Sequence, residues 1–67
     1  MSKYHKISEL PKKEGRYLVK FYTRQKPEYD CTELAWRGFY NGTWDNPVYN
    51  HKGDGYEMIG WYEKEER

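Results

Sequence analysis

Between Trp36 and Trp44 the chain reads Trp-Arg-Gly-Phe-Tyr-Asn-Gly-Thr-Trp, two aromatic runs around one Asn-Gly pair. Asn41-Gly42 supplies the two positive-φ residues of a type I′ turn, whose twist matches that of paired antiparallel strands. This stretch therefore predicts a tight hairpin with a Trp on each arm. The rest of the chain is read as strands laid beside it.

Arg16 to Thr23 is the clearest of these strands. Tyr17, Val19 and Phe21 alternate with Arg16, Leu18, Lys20 and Tyr22, which sends the first set to a core and the second mostly to water. Thr32 to Tyr40 is a second strand, with Leu34, Trp36 and Tyr40 on one parity and Glu33, Ala35, Arg37 and Phe39 on the other. Gly38 interrupts it and suggests a bulge or a close backbone approach. A short strand around Thr43-Trp44-Asp45 follows the turn. Tyr56 to Tyr62, apolar on both faces, is the last strand and reads as central.

Connections fill the remainder. Met1 to Lys6 is polar and reads as an arm that frays, with Tyr4 able to dock. Ile7 and Leu10, three apart before Pro11, suit a single turn capping one end of the core. Arg24 to Cys31 and Asn46 to Gly55 carry Pro27, Pro47, Gly53 and Gly55 and read as loops. The expectation is a mainly β domain spanning 1–67. It has one antiparallel sheet of three or four strands, a meander with the Asn-Gly hairpin, and at most one short helical turn. Its flexible ends are about 1–5 and 63–67. Val19, Phe21, Leu34, Trp36, Trp44, Ile59 and Trp61 are the expected core.

Stability is the difficulty for such a chain. Sixty-seven residues bury little surface, and 34% of them are charged, a composition that with few aliphatics points toward disorder. Aromatics at 19% reverse that reading, because they cluster in the strand-like runs. Each ring buries on the order of 150–250 Å², so a handful suffice for a core. Cys31 is the single cysteine, which excludes an internal disulfide. Cys31, His5 and His51 lack the paired spacing of a structural zinc site, so no metal is expected. No segment is long and apolar enough to span a membrane. The N-terminus has no apolar signal core, and with an unpaired cysteine this fits the cytoplasm.

No catalytic constellation is present, and no cofactor is implied. A Cys31–His51 pair lacks a third, orienting group. Asp45, Asn46 and Asp54 lack the ordered oxygen ligands of a calcium loop. Gly53-Asp54-Gly55 is turn chemistry rather than a phosphate loop. Asn41-Gly42-Thr43 matches a glycosylation sequon only because the turn demands those residues. The chain is read as a non-enzymatic binding protein.

Two kinds of partner compete. Net charge is only +1, yet residues 1–26 carry eight Lys/Arg against two Glu, and residues 27–67 carry four against nine Asp/Glu. Arg16, Lys20 and Arg24 share one side of the first strand with Tyr22, an arrangement that can follow phosphates and stack unpaired bases. Glu33, Glu57 and Glu63 would cancel it if they lay on the same face. Tyr, Trp and Arg also dominate protein hot spots, and thirteen aromatics exceed what so small a core hides. Tyr22, Tyr29, Tyr40, Tyr49 and Tyr62 are the candidates for contact with a protein. A homodimer with a structural role is the third reading.

Ile7-Ser8-Glu9-Leu10-Pro11, Gly15, Tyr17-Leu18-Val19, Gly42-Thr43-Trp44 and Gly60-Trp61 follow one another in the order Leu-Pro, Gly-x-Tyr-Leu-Val, Gly-x-Trp, Gly-Trp. This order resembles a loose group of small phage- and prophage-encoded proteins of unknown function, over about Ile7 to Tyr62. The resemblance implies a small β-rich fold and a phage origin, and carries over no site residue. From that origin and size, the expected role is to occupy the surface of a host or phage protein. An inhibitor of a host defence nuclease, such as a CRISPR effector, is its most concrete form. Mimicry of nucleic acid would have to use Glu57, Glu63, Glu65 and Glu66.

Overall fold

The structure, a computed structural model, describes residues 3–27, 29, 31–51 and 53–63. Among these, six strands form one antiparallel sheet: β1 (Tyr4–Lys6), β2 (Gly15–Tyr22), β3 (Thr32–Tyr40), β4 (Thr43–Trp44), β5 (Val48–His51) and β6 (Asp54–Tyr62). The order is β1-β6-β2-β3-β4, with β5 pairing β6 off that path. The expected three or four strands are thus exceeded. Tyr4–Lys6 and Val48–His51 have too little alternation to stand out, but each completes a ladder along β6. Glu57 pairs with both Tyr22 and Val48, so β5 and β1 share the β6 edge that lies away from β2.

The hairpin forms as the Asn-Gly pair dictates. Asn41 and Gly42 have φ of 56° and 77°, and Tyr40 pairs with Thr43 across them. Gly38 does not make the expected bulge; it pairs in register with Arg16. A Cβ there would lie 2.6 Å from the Tyr40 ring, which covers the glycine. The bulge lies instead in β6, where Lys20 pairs with Gly60 and Phe21 with Met58, leaving Ile59 as the extra residue.

One face of the sheet carries the core. Val19 and Phe21 are fully shielded, and Tyr17, Phe39, Tyr56 and Trp61 are buried around them. Ala35, Trp44, Tyr49 and Met58 pack against this group, and Ile59 is half-buried. Ring contacts link it: Tyr17 meets Trp61 at 5.2 Å and Trp44 at 6.0 Å, and Phe21 stacks on Tyr49 at 5.5 Å. Such pairs add about 0.5–1.5 kcal/mol each beyond their burial, which is how a chain poor in aliphatics holds a core.

Leu34 and Trp36 do not belong to it. They are 50% and 54% exposed. The β2–β3 register sets Trp36 opposite Leu18 and Leu34 opposite Lys20, so both lie on the face away from Val19 and Phe21. Ala35, Arg37, Glu33 and Phe39 take the core side instead. The N-terminal turn differs in the same sense: Leu10 is 56% exposed, and Pro11 is the buried residue. The turn itself forms through Glu9 N–H to Lys6 O, and Trp61 Nε1 donates to Glu9 O at 2.7 Å.

The sheet curls around its core. Strands β3 and β5 are three positions apart, roughly 14 Å in a flat sheet. Yet Arg37 of β3 donates from Nη2 to Val48 O and from Nε to Asn46 O, at 2.8 and 2.7 Å. Its guanidinium also lies 5.0 Å from the Phe21 ring centroid. Arg37 thereby ties the two sides of the curl together, and the chain's own connections cover the core face.

Candidate functional site

The other face is the more open one: Leu34, Trp36 and Tyr40 are exposed on it, and Leu18, Lys20, Tyr22 and Tyr62 are half-buried. Antiparallel pairing places Tyr4 of β1, Tyr62 of β6, Leu18 of β2 and Trp36 of β3 side by side in one row across the sheet. The next row is Lys6, Gly60, Lys20 and Leu34. Beyond it Glu57, Tyr22 and Thr32 are paired, and on the other side Arg16 lies opposite Gly38 under the Tyr40 ring. The face is a table of rings and long cations built from four strands.

Its local chemistry is specific. Tyr4 and Tyr62 meet at 5.1 Å with planes tilted by 57°, and Lys20 Nζ lies 5.5 Å from the Tyr4 centroid. Tyr4 donates its hydroxyl to Ile59 O at 3.2 Å, over Gly60. Burial first, and the neighbouring Tyr62 second, push the Tyr4 phenol above its ordinary value. Trp36 and Tyr40 stand 54% and 45% exposed, so their rings are available to a ligand.

The structure settles where the acids lie. Glu33 pairs with Phe21 and therefore sits on the core side. Glu63 approaches His5, which stacks on Trp61 at 4.4 Å, again on the core side. Of the three acids weighed against the basic stripe, only Glu57 shares its face. Lys6, Arg16 and Lys20 thus share their face with one of those three carboxylates, and Asp45 adjoins the row of Arg16 and Gly38.

The expected contact residues divide. Tyr22, Tyr40 and Tyr62 lie on the open face. Tyr29 is 92% exposed on the β2–β3 connection, and Arg24 is exposed just beyond β2. Tyr49 lies on the core side between Phe21 and Tyr56. Glu65 and Glu66 lie outside the described residues. Tyr4, Lys6, Leu18, Leu34 and Trp36 were not among the expected contacts. The signal that finds them is the register between strands, which single-strand alternation does not contain.

A concavity of about 510 Å³ lies beside Trp61. Lys3, Lys12 and Lys13 line it together with Glu9, Glu14 and Glu63, so it favours neither sign of ligand. His5 already uses both ring nitrogens there: Nδ1 lies 3.3 Å from Glu9 Oε1, and Nε2 meets Glu63 Oε2. Tyr17 donates to Lys13 O at 2.6 Å, and burial first, then the Glu63 charge, raise its phenol above the ordinary value. Cys31 is half-buried with Sγ 3.8 Å from Thr32 Oγ1, and the His51 side chain lies outside the description. No group of three His, Cys, Asp or Glu among the described residues is placed to hold a metal ion. No helix there is long and apolar enough to cross a membrane.

Comparisons of the chain with protein-family models, with curated proteins and with solved structures return no match.

Proposed function

We propose that the protein is a non-enzymatic binding module whose open sheet face takes single-stranded nucleic acid. One observation carries this reading: Lys6, Arg16 and Lys20 share that face with Tyr4, Tyr22, Tyr62 and Trp36, while Glu33 and Glu63 lie on the core side. Unpaired bases stack on exposed rings, worth about 1–3 kcal/mol per base. The cations neutralise the phosphates that pass between the rings. An open antiparallel sheet suits this task because its rings lie at strand spacing on a rigid ladder.

The test is anisotropy of a labelled pyrimidine oligonucleotide over a salt series. Binding should be measurable at low salt and fall steeply as salt rises. Trp36→Ala should weaken it by roughly 5- to 150-fold, one lost stacked base. Lys20→Gln should flatten the salt slope by about 0.7, one lost phosphate contact on a single strand. No binding at low salt, or variants that bind like the wild type, would overturn the reading.

A protein partner for the same face is the second reading. It is favoured by Leu34, half exposed beside Trp36, which offers a base nothing to stack on. The inhibitor of a host defence nuclease belongs here. Capture of one host protein by the wild type but not by Trp36→Ala, without oligonucleotide binding, would select it.

A further inference from the structure

The edge of β3 offers a second interaction surface, independent of how the open face is used. Strand β3 runs from Thr32 to Tyr40, but β4 pairs only with Phe39 and Tyr40. Tyr40 and Thr43 close the two-residue turn, and Asp45 N–H donates to Gly38 O at 2.7 Å. Even-numbered residues of β3 therefore direct their N–H and C=O away from β2. For Thr32 and Leu34 these groups meet no backbone partner among the described residues, and Trp36 O meets only its neighbour's guanidinium, at 2.8 Å.

A free edge of this kind is a template for another strand, and proteins usually blunt it with Lys, Pro or a bulge. From Thr32 to Arg37 the edge has no Lys, Pro or bulge, and its two inward-pointing charges, Glu33 and Arg37, are of opposite sign. Instead it carries the exposed Leu34 and Trp36 on one face, and on the other Glu33, Ala35 and Arg37. Glu33 is half-buried with no ion-pair partner among the described residues. Acid and base stand two residues to either side of Ala35.

We propose that this edge pairs antiparallel with the same edge of a second copy, about a two-fold axis at Ala35. That register sets Ala35 against its own counterpart, Leu34 against the second copy's Trp36, and Glu33 against the second copy's Arg37, each of the latter twice. The opposed charges select the occupant: a strand turned about Ala35 presents a base wherever this edge presents an acid, and Arg37 keeps two of its five N–H groups beyond its three carbonyl bonds for the second copy's Glu33. Leu34 and Trp36 of each copy exchange backbone hydrogen bonds through their outward groups. Asp45 marks the end of the pairing, because it already occupies the position opposite Gly38. The two open faces would then join into one longer table.

The register is tested by cross-linking. In a Cys31→Ser background, Ala35→Cys places two thiols in a non-hydrogen-bonded pair, with Cα atoms about 4.5 Å apart, inside the disulfide range. Oxidised glutathione should convert that variant to a covalent dimer, whereas Leu34→Cys, set two residues out of register with its copy, should stay monomeric. Sedimentation of the wild type at two concentrations should show a dimer that grows with concentration. Glu33→Arg should weaken it by roughly tenfold or more, since two attractive pairs become repulsive. A wild type that stays monomeric at the higher concentration, as it would if the edge serves a peptide of another protein, overturns the proposal. So does cross-linking of Leu34→Cys in preference to Ala35→Cys.

Discussion

Gly60→Ala should release β1 from the sheet. Gly60 is buried and paired with Lys6 on one side and Lys20 on the other. A Cβ at this site would lie 2.5 Å from the backbone oxygen of His5 and would also meet the Tyr4 hydroxyl. The side-chain clash can relax by rotation, but the carbonyl moves only if β1 moves. Forcing a methyl into a filled site costs about 1–3 kcal/mol, and replacing Gly in a strand returns about 0.5–1 kcal/mol. The net loss is about 1–2 kcal/mol, and a domain of this size shifts its Tm by about 4–8 °C per kcal/mol. Thermal melts should therefore fall by about 5–15 °C. Hydrogen exchange should locate the damage: the amides of Ile7 and Glu63, bonded to Ile59 O and Lys3 O, should lose protection while those of β2 keep theirs. Adding Tyr4→Phe removes the hydroxyl but leaves the carbonyl, so rescue should be partial. A Gly60→Ala protein that melts within about 2 °C of wild type and keeps both amides protected would refute this account.

Arg37→Lys should lose two of three carbonyl bonds and the flat contact with Phe21, costing about 2–3 kcal/mol in urea unfolding, with β5 exchanging fastest. Gly42→Ala puts a Cβ at φ 77° with no clash nearby, so chemical denaturation should show only the left-handed penalty of about 1–2 kcal/mol. Tyr17 is held neutral by burial and by the Glu63 charge, so its folded pKa lies above the ordinary 10.0. Its contribution is complete below that value and is lost as pH rises through the raised one. Urea midpoints should thus decline above about pH 10, and Tyr17→Phe should decline less while starting about 1 kcal/mol lower for the lost bond to Lys13 O.

The hairpin was legible because Asn41-Gly42 fixes it locally, and β2 was legible because Tyr17, Val19 and Phe21 alternate with Arg16 and Lys20, although Leu18 and Tyr22 blur the pattern. The faces of β3 were not. Its even residues are the more apolar, so hydropathy assigns Leu34 and Trp36 to the core. Pairing with β2 reverses this, because the odd side supplies Phe39 and Ala35, with the guanidinium of Arg37 closing the curl. A core side closed by a cation looks, in sequence, like a solvated face. The short strands β1 and β5 were hidden for a different reason: three or four residues carry no period, and only the waiting edge of β6 makes them strands. For the candidate site, Arg16, Lys20 and Tyr22 were visible on one strand. The row of Tyr4, Tyr62, Leu18 and Trp36 exists only once four strands are in register.

Ile59 acts as a phase change within β6. Before it, Tyr56 and Met58 point inward; after it, Trp61 does, although Met58 and Trp61 are an odd number of residues apart. A chain shortened by that one residue would lose a single half-buried isoleucine, yet the half of the strand before the deletion would present Glu57 to the core and its two large side chains to water. Residue count, as much as residue type, decides which side chains of this protein face outward.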